Sequence, residues 1–234
     1  MKSILIICST IILIFTTGNA VSFSKSKKIL VNKIYLDNKV TFYCNNPYET
    51  KQVKGKYKTL IIKDDKYYSP RKPFYKSGKA NTRAERVEWE HVMPAHNFGK
   101  HLLCWKNGGR KACRKDKEFK IMESDMHNLV PAIGEVNGNR SNYRYGANMP
   151  SIGQYGQCNV QVDFKAKRAY VKDDIKGDIA RIYFYMSDQY NVHLSKQERK
   201  MMEAWNKSDP VSSWEIEKNK RVEKLQGNKN KYIQ

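Results

Sequence analysis

Four cysteines, Cys44, Cys104, Cys113 and Cys158, follow an N-terminal segment that reads as an export signal, and this combination narrows the fold more than any other feature. Lys2 is the charged start, Ile4 to Phe15 the apolar run, and Gly18 and Ala20 the small residues before a cleavage point, with Ala20 as the last residue removed. The run is too short for a spanning helix, which needs ~20 apolar residues, so no stable membrane anchor is expected after cleavage. Cys8 falls inside the discarded peptide, with Ile7 where a lipoprotein site would want a small residue. An even number of cysteines in an oxidising compartment favours two disulfides. Four cysteines allow three pairings; proximity favours Cys104 with Cys113, leaving Cys44 with Cys158. The competing reading is a zinc site on Cys104, Cys113 and His96, His101 or His127, but no Cys-x-x-Cys spacing supports it.

A chain of 234 residues with 40% hydrophobic content can fill a core, which excludes global disorder. No linker or repeat divides it, so residues 21–234 are expected to form one mixed α+β domain. Its net charge of +21 implies a polyanionic partner, with nucleic acid ahead of an anionic membrane surface.

Lys25 to Tyr35 predicts an early helix, and Val40-Thr41-Phe42-Tyr43 a short strand. From Glu49 to Lys79 the periodicity is weak and interrupted by Pro70 and Pro73, which predicts strand pieces and exposed loops. Ile179, Ile182, Tyr183, Met186 and Tyr190 recur at helical spacing and predict one core stripe. Ser195 with Glu198 and Ser212 with Glu215 fit capping boxes, and Gly227 suits a helix stop.

Between these segments the chain concentrates His, Glu, Asn, Arg and Gly, and chemistry is to be sought there. Glu90 and His91 lie in Arg86-Val87-Glu88-Trp89-Glu90-His91-Val92. Phosphodiester hydrolysis needs a base near neutral pH, a cation at the phosphate and neutralisation of the developing charge. An imidazole can be that base and a carboxylate suits Mg²⁺. In a regular strand the two neighbours point to opposite faces, so the strand is expected to break near Pro94 if they serve one site. Asn137, in Gly134-Glu135-Val136-Asn137-Gly138-Asn139-Arg140, offers a neutral amide oxygen, and Pro131 suits a first helical turn. Arg110 follows Gly108-Gly109 inside the Cys104 to Cys113 interval, where a guanidinium can hold a phosphate by two parallel bonds. Lys111 and Arg114 extend that positive rim, and Arg140 is a further candidate nucleic-acid contact. Glu123 and His127 are candidates for orienting the site residues. A zinc hydrolase on His91 and His96 is disfavoured, because Pro94 interrupts their interval.

Glu88-Trp89-Glu90-His91-Val92, Gly108-Gly109-Arg110-Lys111, Met122 through Leu129, Gly134 through Gly138 and Gly153 through Cys158 strongly resemble bacterial endonuclease I. The likeness continues through Ala180 to Met186 and Ala204 to Lys207 and covers nearly all of the mature chain. It departs from the family where Asn45-Asn46 follows Cys44 and where Ile216 stands at a place in which Cys is common.

That resemblance implies a ββα-metal nuclease core, an antiparallel hairpin carrying Glu90 and His91 and a following helix carrying Asn137, surrounded by further helices and short strands. It implies His91 as general base, Glu90 and Asn137 as ligands of one divalent cation, and Arg110 on the phosphate. The cation would be Mg²⁺, with Mn²⁺ or Ca²⁺ as the other candidates. The substrate would be DNA, and RNA as well, cut with little sequence preference to leave 5′-phosphates. A monomer in the periplasm or secreted completes the expectation.

Overall fold

The computed structural model describes residues 21–53, 56–148 and 153–234, so the expected signal at residues 1–20 lies outside the described residues. In chain order the elements are α1 (Phe23–Ile29), extended by a π-helical turn at Leu30–Ile34, β1 (Tyr48–Val53), β2 (Lys56–Ile61), β3 (Val87–His91), α2 (Ala95–Gly99), α3 (Leu103–Lys106), α4 (Gly109–Cys113), α5 (Lys117–Ser124), β4 (Leu129–Ile133), α6 (Gly134–Arg140), β5 (Arg144–Tyr145), β6 (Val160–Asp163), β7 (Arg168–Val171), α7 (Lys176–Tyr190), α8 (Lys196–Ser208) and α9 (Ser213–Gln226). The class is α+β, as expected.

The centre of the fold is the antiparallel pair β3 and β4, in register from Val87 opposite Ile133 to His91 opposite Leu129. Every residue of β4 is buried, and the strand runs directly into α6. Gly134 makes that sharp junction feasible, because a Cβ there would lie 2.8 Å from the Arg83 carbonyl oxygen and 2.9 Å from Glu88 Oε1. β1 and β2 form a separate antiparallel ribbon that touches β3 through a bridge between Leu60 and Arg86. β7 lies between antiparallel β6 and parallel β5. Three long helices close the carboxy-terminal side. The α7 stripe buries Ile179, Ile182, Tyr183 and Met186 in the main core, and a smaller core joins Leu30, Ile34, Met126 and Val222. Ser212 and Glu215 form a full reciprocal capping box, Ser195 caps α8 through its hydroxyl, and Gly227 ends α9 at φ 92°.

Two local expectations are corrected. Val40 to Tyr43 is not a strand: Val40 makes only an isolated bridge to Pro47, and the chain turns from Phe42 to Cys44. Asn46 N–H donates to Thr41 Oγ1 at 3.0 Å and Asn45 N–H to the Thr41 carbonyl, closing a loop in which Asn45 takes φ 53°. Pro131 lies within β4 rather than in a helical turn. As a sheet edge, β4 tolerates its missing N–H, and the Pro131 carbonyl accepts from Phe42 N–H at 2.8 Å.

The structure joins Cys44 to Cys158 and Cys104 to Cys113. The second bridge spans nine residues and encloses Arg110. On the chain-entropy model it stabilises by roughly 2 to 3 kcal/mol. A Cys104→Ser/Cys113→Ser variant is therefore expected to lose that much unfolding free energy and to unfold at a lower urea midpoint; an unaltered midpoint would show that the bridge contributes nothing.

Candidate active site

Two periodicities build the site. Along β3, Glu88 and Glu90 stand two residues apart and share the face that looks at α6; along α6, Asn137 and Arg140 stand three apart and share the face that looks back. The pairs meet: Asn137 Nδ2 donates to Glu88 Oε2 at 2.9 Å, and Arg140 Nη1 donates to Glu90 Oε1 at 2.9 Å. Glu88 also accepts from Arg83 and Arg86, so its carboxylate is fully engaged in holding Asn137 and these cations. With the Asn137 amide nitrogen directed at Glu88, its Oδ1 is left without a protein donor among the described residues, as is Glu90 Oε2.

Glu90 is 4% exposed. Burial pushes its carboxyl up to about 7, against the opposing pull of Arg140 and the Tyr43 hydroxyl, which donates to Oε1 at 3.3 Å. Tyr43 is in turn held by the Tyr145 hydroxyl at 2.7 Å and by its neighbour Cys44, bridged to Cys158. One carboxylate oxygen and one amide oxygen, both hard and both free of protein donors, form a donor set that suits a small divalent cation keeping most of its waters.

His91 closes β3, paired with Leu129, so the strand carries both members of the dipeptide in regular alternation and turns away only at Val92. The expected break comes here: β3 ends at His91, and Pro94 immediately precedes α2. β4 takes one edge of β3; along the other, β2 meets Arg86 and Arg140 donates to the His91 carbonyl at 3.0 Å. Val87, Glu88, Trp89, Glu90 and His91 all line one cavity of about 1180 Å³. Neighbours from both faces of β3 are thus among its lining, His91 where the strand ends.

His91 Nε2 lies 2.8 Å from the Glu123 carbonyl oxygen. A carbonyl only accepts, so Nε2 carries the ring proton and Nδ1 is the bare acceptor. Burial lowers the imidazole to about 3, the Glu123 carbonyl opposing and Arg110, Arg140 and Lys27 adding to the fall, so the ring is neutral at physiological pH. Phe23 packs on it at 5.0 Å and Phe98 at 5.9 Å. Glu123 does two jobs, because its carboxylate also accepts from Arg110 Nε at 2.7 Å. The terminal nitrogens of Arg110 have no protein partner among the described residues, and its side chain is about half exposed at the cavity rim.

Glu90, His91, Asn137 and Arg110 thus line one cavity with Lys27, Lys28 and Arg83, and Lys111 and Arg114 are exposed on and just after α4. Two sequence readings are corrected. Arg140 is no surface contact for nucleic acid: it is 1% exposed, bound to Glu90 and to the carbonyls of His91 and Val92, and its role is to neutralise and fix the buried carboxylate. His127 does not orient a site residue. Its ring lies 4.6 Å from Tyr185 and its Nε2 donates to the Asn228 carbonyl, which ties the chain end to the core.

That burial lowers the His127 pKa, outweighing the nearby Asp125 carboxylate. Its stabilising effect is complete above the unfolded value of about 6.5 and is lost as pH falls from there through the depressed folded value, because the unfolded chain takes up the proton first. His127→Gln keeps a donor for Asn228 without titrating. Its urea midpoint is expected to fall less than the wild-type midpoint between pH 7.5 and 5.5; equal falls would refute the assignment.

Glu88, Tyr43, Tyr145 and Lys27 were not among the sequence candidates. Strand alternation from Glu90 points to Glu88, whereas the others reach the site only through long-range packing.

A family model described as Endonuclease I matches residues 22–234. The chain is 44% identical over 227 residues to Endonuclease-1 of Buchnera aphidicola subsp. Acyrthosiphon pisum (strain APS), covering 94% of this chain and 86% of that protein. It is 44% identical over 219 residues to an extracellular deoxyribonuclease of Aeromonas hydrophila, covering 92% and 89% of the two chains. A periplasmic deoxyribonuclease of the same organism is 46% identical over 218 residues, covering 92% and 86%. Similarity of this extent, over a ββα core whose cavity is lined by the motif residues, makes this chain a member of the endonuclease I family and an enzyme that is a nuclease.

Proposed function

We propose that the protein hydrolyses phosphodiester bonds of DNA, and of RNA, with little sequence preference and with one divalent cation, leaving 5′-phosphate ends. The observation that carries this reading is a basic cavity in which a neutral imidazole with Nδ1 free stands with two undonated hard oxygens and a half-exposed guanidinium. Glu90 Oε2 and Asn137 Oδ1 would hold the cation, Mg²⁺ with Mn²⁺ or Ca²⁺ as the other candidates, which would supply charge neutralisation at the phosphate and the leaving 3′ oxygen. His91 Nδ1 takes the proton of the attacking water, while the bond from Nε2 to Glu123 holds the ring in the required tautomer. Arg110 steadies the phosphate through its terminal nitrogens, and Lys111 and Arg114 extend the rim. Contacts of this kind bind the backbone and carry little base information.

The enzyme is further read as an exported monomer, residues 1–20 serving as the signal and residues 21–234 as the nuclease domain. The names of the extracellular and periplasmic relatives support export. The reading is tested by incubating the mature chain with supercoiled plasmid and with RNA, in excess chelator and after Mg²⁺ is restored. Cleavage of both only with Mg²⁺, giving ends that a ligase joins without kinase treatment, is the expected result. Binding without cleavage would reject the proposed hydrolysis, and undiminished cleavage in chelator would reject the cation.

A further inference from the structure

We propose that the hairpin at residues 72–81 is a second nucleic-acid contact, outside the cavity, in which Phe74 and Tyr75 stack on bases of an unpaired strand. The inference rests on the nuclease reading and names a contact that the chemistry itself does not require.

From Lys66 to Ala84 the chain has no Asp or Glu, yet carries Lys66, Arg71, Lys72, Lys76, Lys79 and Arg83. All residues from Pro70 to Ala80 are exposed, with Phe74 at 62% and Tyr75 at 46%. Exposed rings gain nothing from burial, but this turn is well built. Phe74 bridges Ala80, Tyr75 N–H donates to the Lys79 carbonyl at 2.8 Å, and Gly78 N–H donates back to Tyr75 at 2.9 Å. Asn81 closes the neck, its N–H donating to the Pro73 carbonyl and its Nδ2 to the Lys72 carbonyl.

The root joins the hairpin to the site. Arg71 and Lys72 N–H groups donate to the Glu135 carboxylate at 3.0 and 2.8 Å, and Glu135 lies on α6 two residues before Asn137. The other strand of the hairpin leads to Arg83, which lines the cavity. A strand leaving the cavity past Arg83 therefore meets Lys72, Lys76 and Lys79 beside two aromatic faces, the combination that binds unpaired nucleotides whatever their sequence. An anionic lipid surface is the rival occupant, and attachment to the helix that carries Asn137 favours the nucleic acid.

The test uses His91→Ala protein in chelator, so that nothing is cut, titrated with an oligothymidylate over a range of salt. Adding Phe74→Ala and Tyr75→Ala is expected to weaken binding by about tenfold per ring, with the slope of log affinity on log salt unchanged. Phe74→Trp with Tyr75→Phe restores it. Lys72→Ala, Lys76→Ala and Lys79→Ala together should instead flatten that slope by about 2. Affinity of the double-alanine protein within twofold of its parent overturns the proposal while leaving the nuclease reading intact. So does a loss seen only on phosphatidylglycerol vesicles. A parent that binds no oligonucleotide, from a wild type that cuts none, overturns both.

Discussion

His91→Ala is expected to lower kcat on plasmid DNA by about 10² to 10⁴, the range over which a positioned general base contributes, with a smaller change in KM. The tautomer is the reason. The Glu123 carbonyl claims the Nε2 proton at 2.8 Å, so Nδ1 is a lone-pair acceptor at neutral pH, and burial ensures that it is not already protonated. No other imidazole can take over: His96 also lines the cavity but sits beyond Pro94 with its ring against Trp105, and His127 is enclosed elsewhere. Alanine also leaves a gap between Phe23 and Phe98, so some stability is lost, and rates must be compared at a temperature where circular dichroism shows both proteins folded. His91→Asn, which keeps polarity and much of the volume without a usable base, separates the effects by failing equally in rate. A folded His91→Ala enzyme within tenfold of wild type would end the base assignment.

The candidate site was legible where its geometry is local. Glu90 and Asn137 follow from motif chemistry, and strand alternation with helical i, i+3 spacing shows afterwards why Glu88 meets Asn137 and Arg140 meets Glu90. Alternation required β3 to stop near Pro94 if Glu90 and His91 were to serve one cavity, and β3 does stop at His91. Arg140 misled: arginine beside glycines reads as a surface cation, and its burial depends on Glu90, fifty residues earlier, being buried too. Tyr43, Tyr145 and Phe23 reach the site from segments far apart in sequence, and no local pattern marks them. In the fold, the long amphipathic helices and their caps were plain. Val40 to Tyr43 was not, since β-branched and aromatic residues suit a buried turn beside a disulfide as well as a strand.

Arg140→Met should cost about 3 to 5 kcal/mol in unfolding free energy, measured in chelator so that no cation compensates. Both charges of this pair are enclosed, Arg140 at 1% and Glu90 at 4% exposure, so the exposed-pair range of ~0 to 1 kcal/mol does not apply. Methionine fills much of the volume, and the loss therefore reports the Glu90 carboxyl, driven by burial to take up a proton, and the His91 and Val92 carbonyls left without their donor. Those carbonyls lie at the end of β3, where the strand turns away beside His91, so the rate should fall along with the stability. Adding Glu90→Gln removes the group that must take up that proton and is expected to recover part of the stability while recovering none of the activity, since the proposed cation ligand is lost. Such divergence is what a residue that holds the proposed cation ligand must produce, and a surface phosphate contact would give the reverse: a single variant stable to within about 0.5 kcal/mol, weakened chiefly in DNA binding.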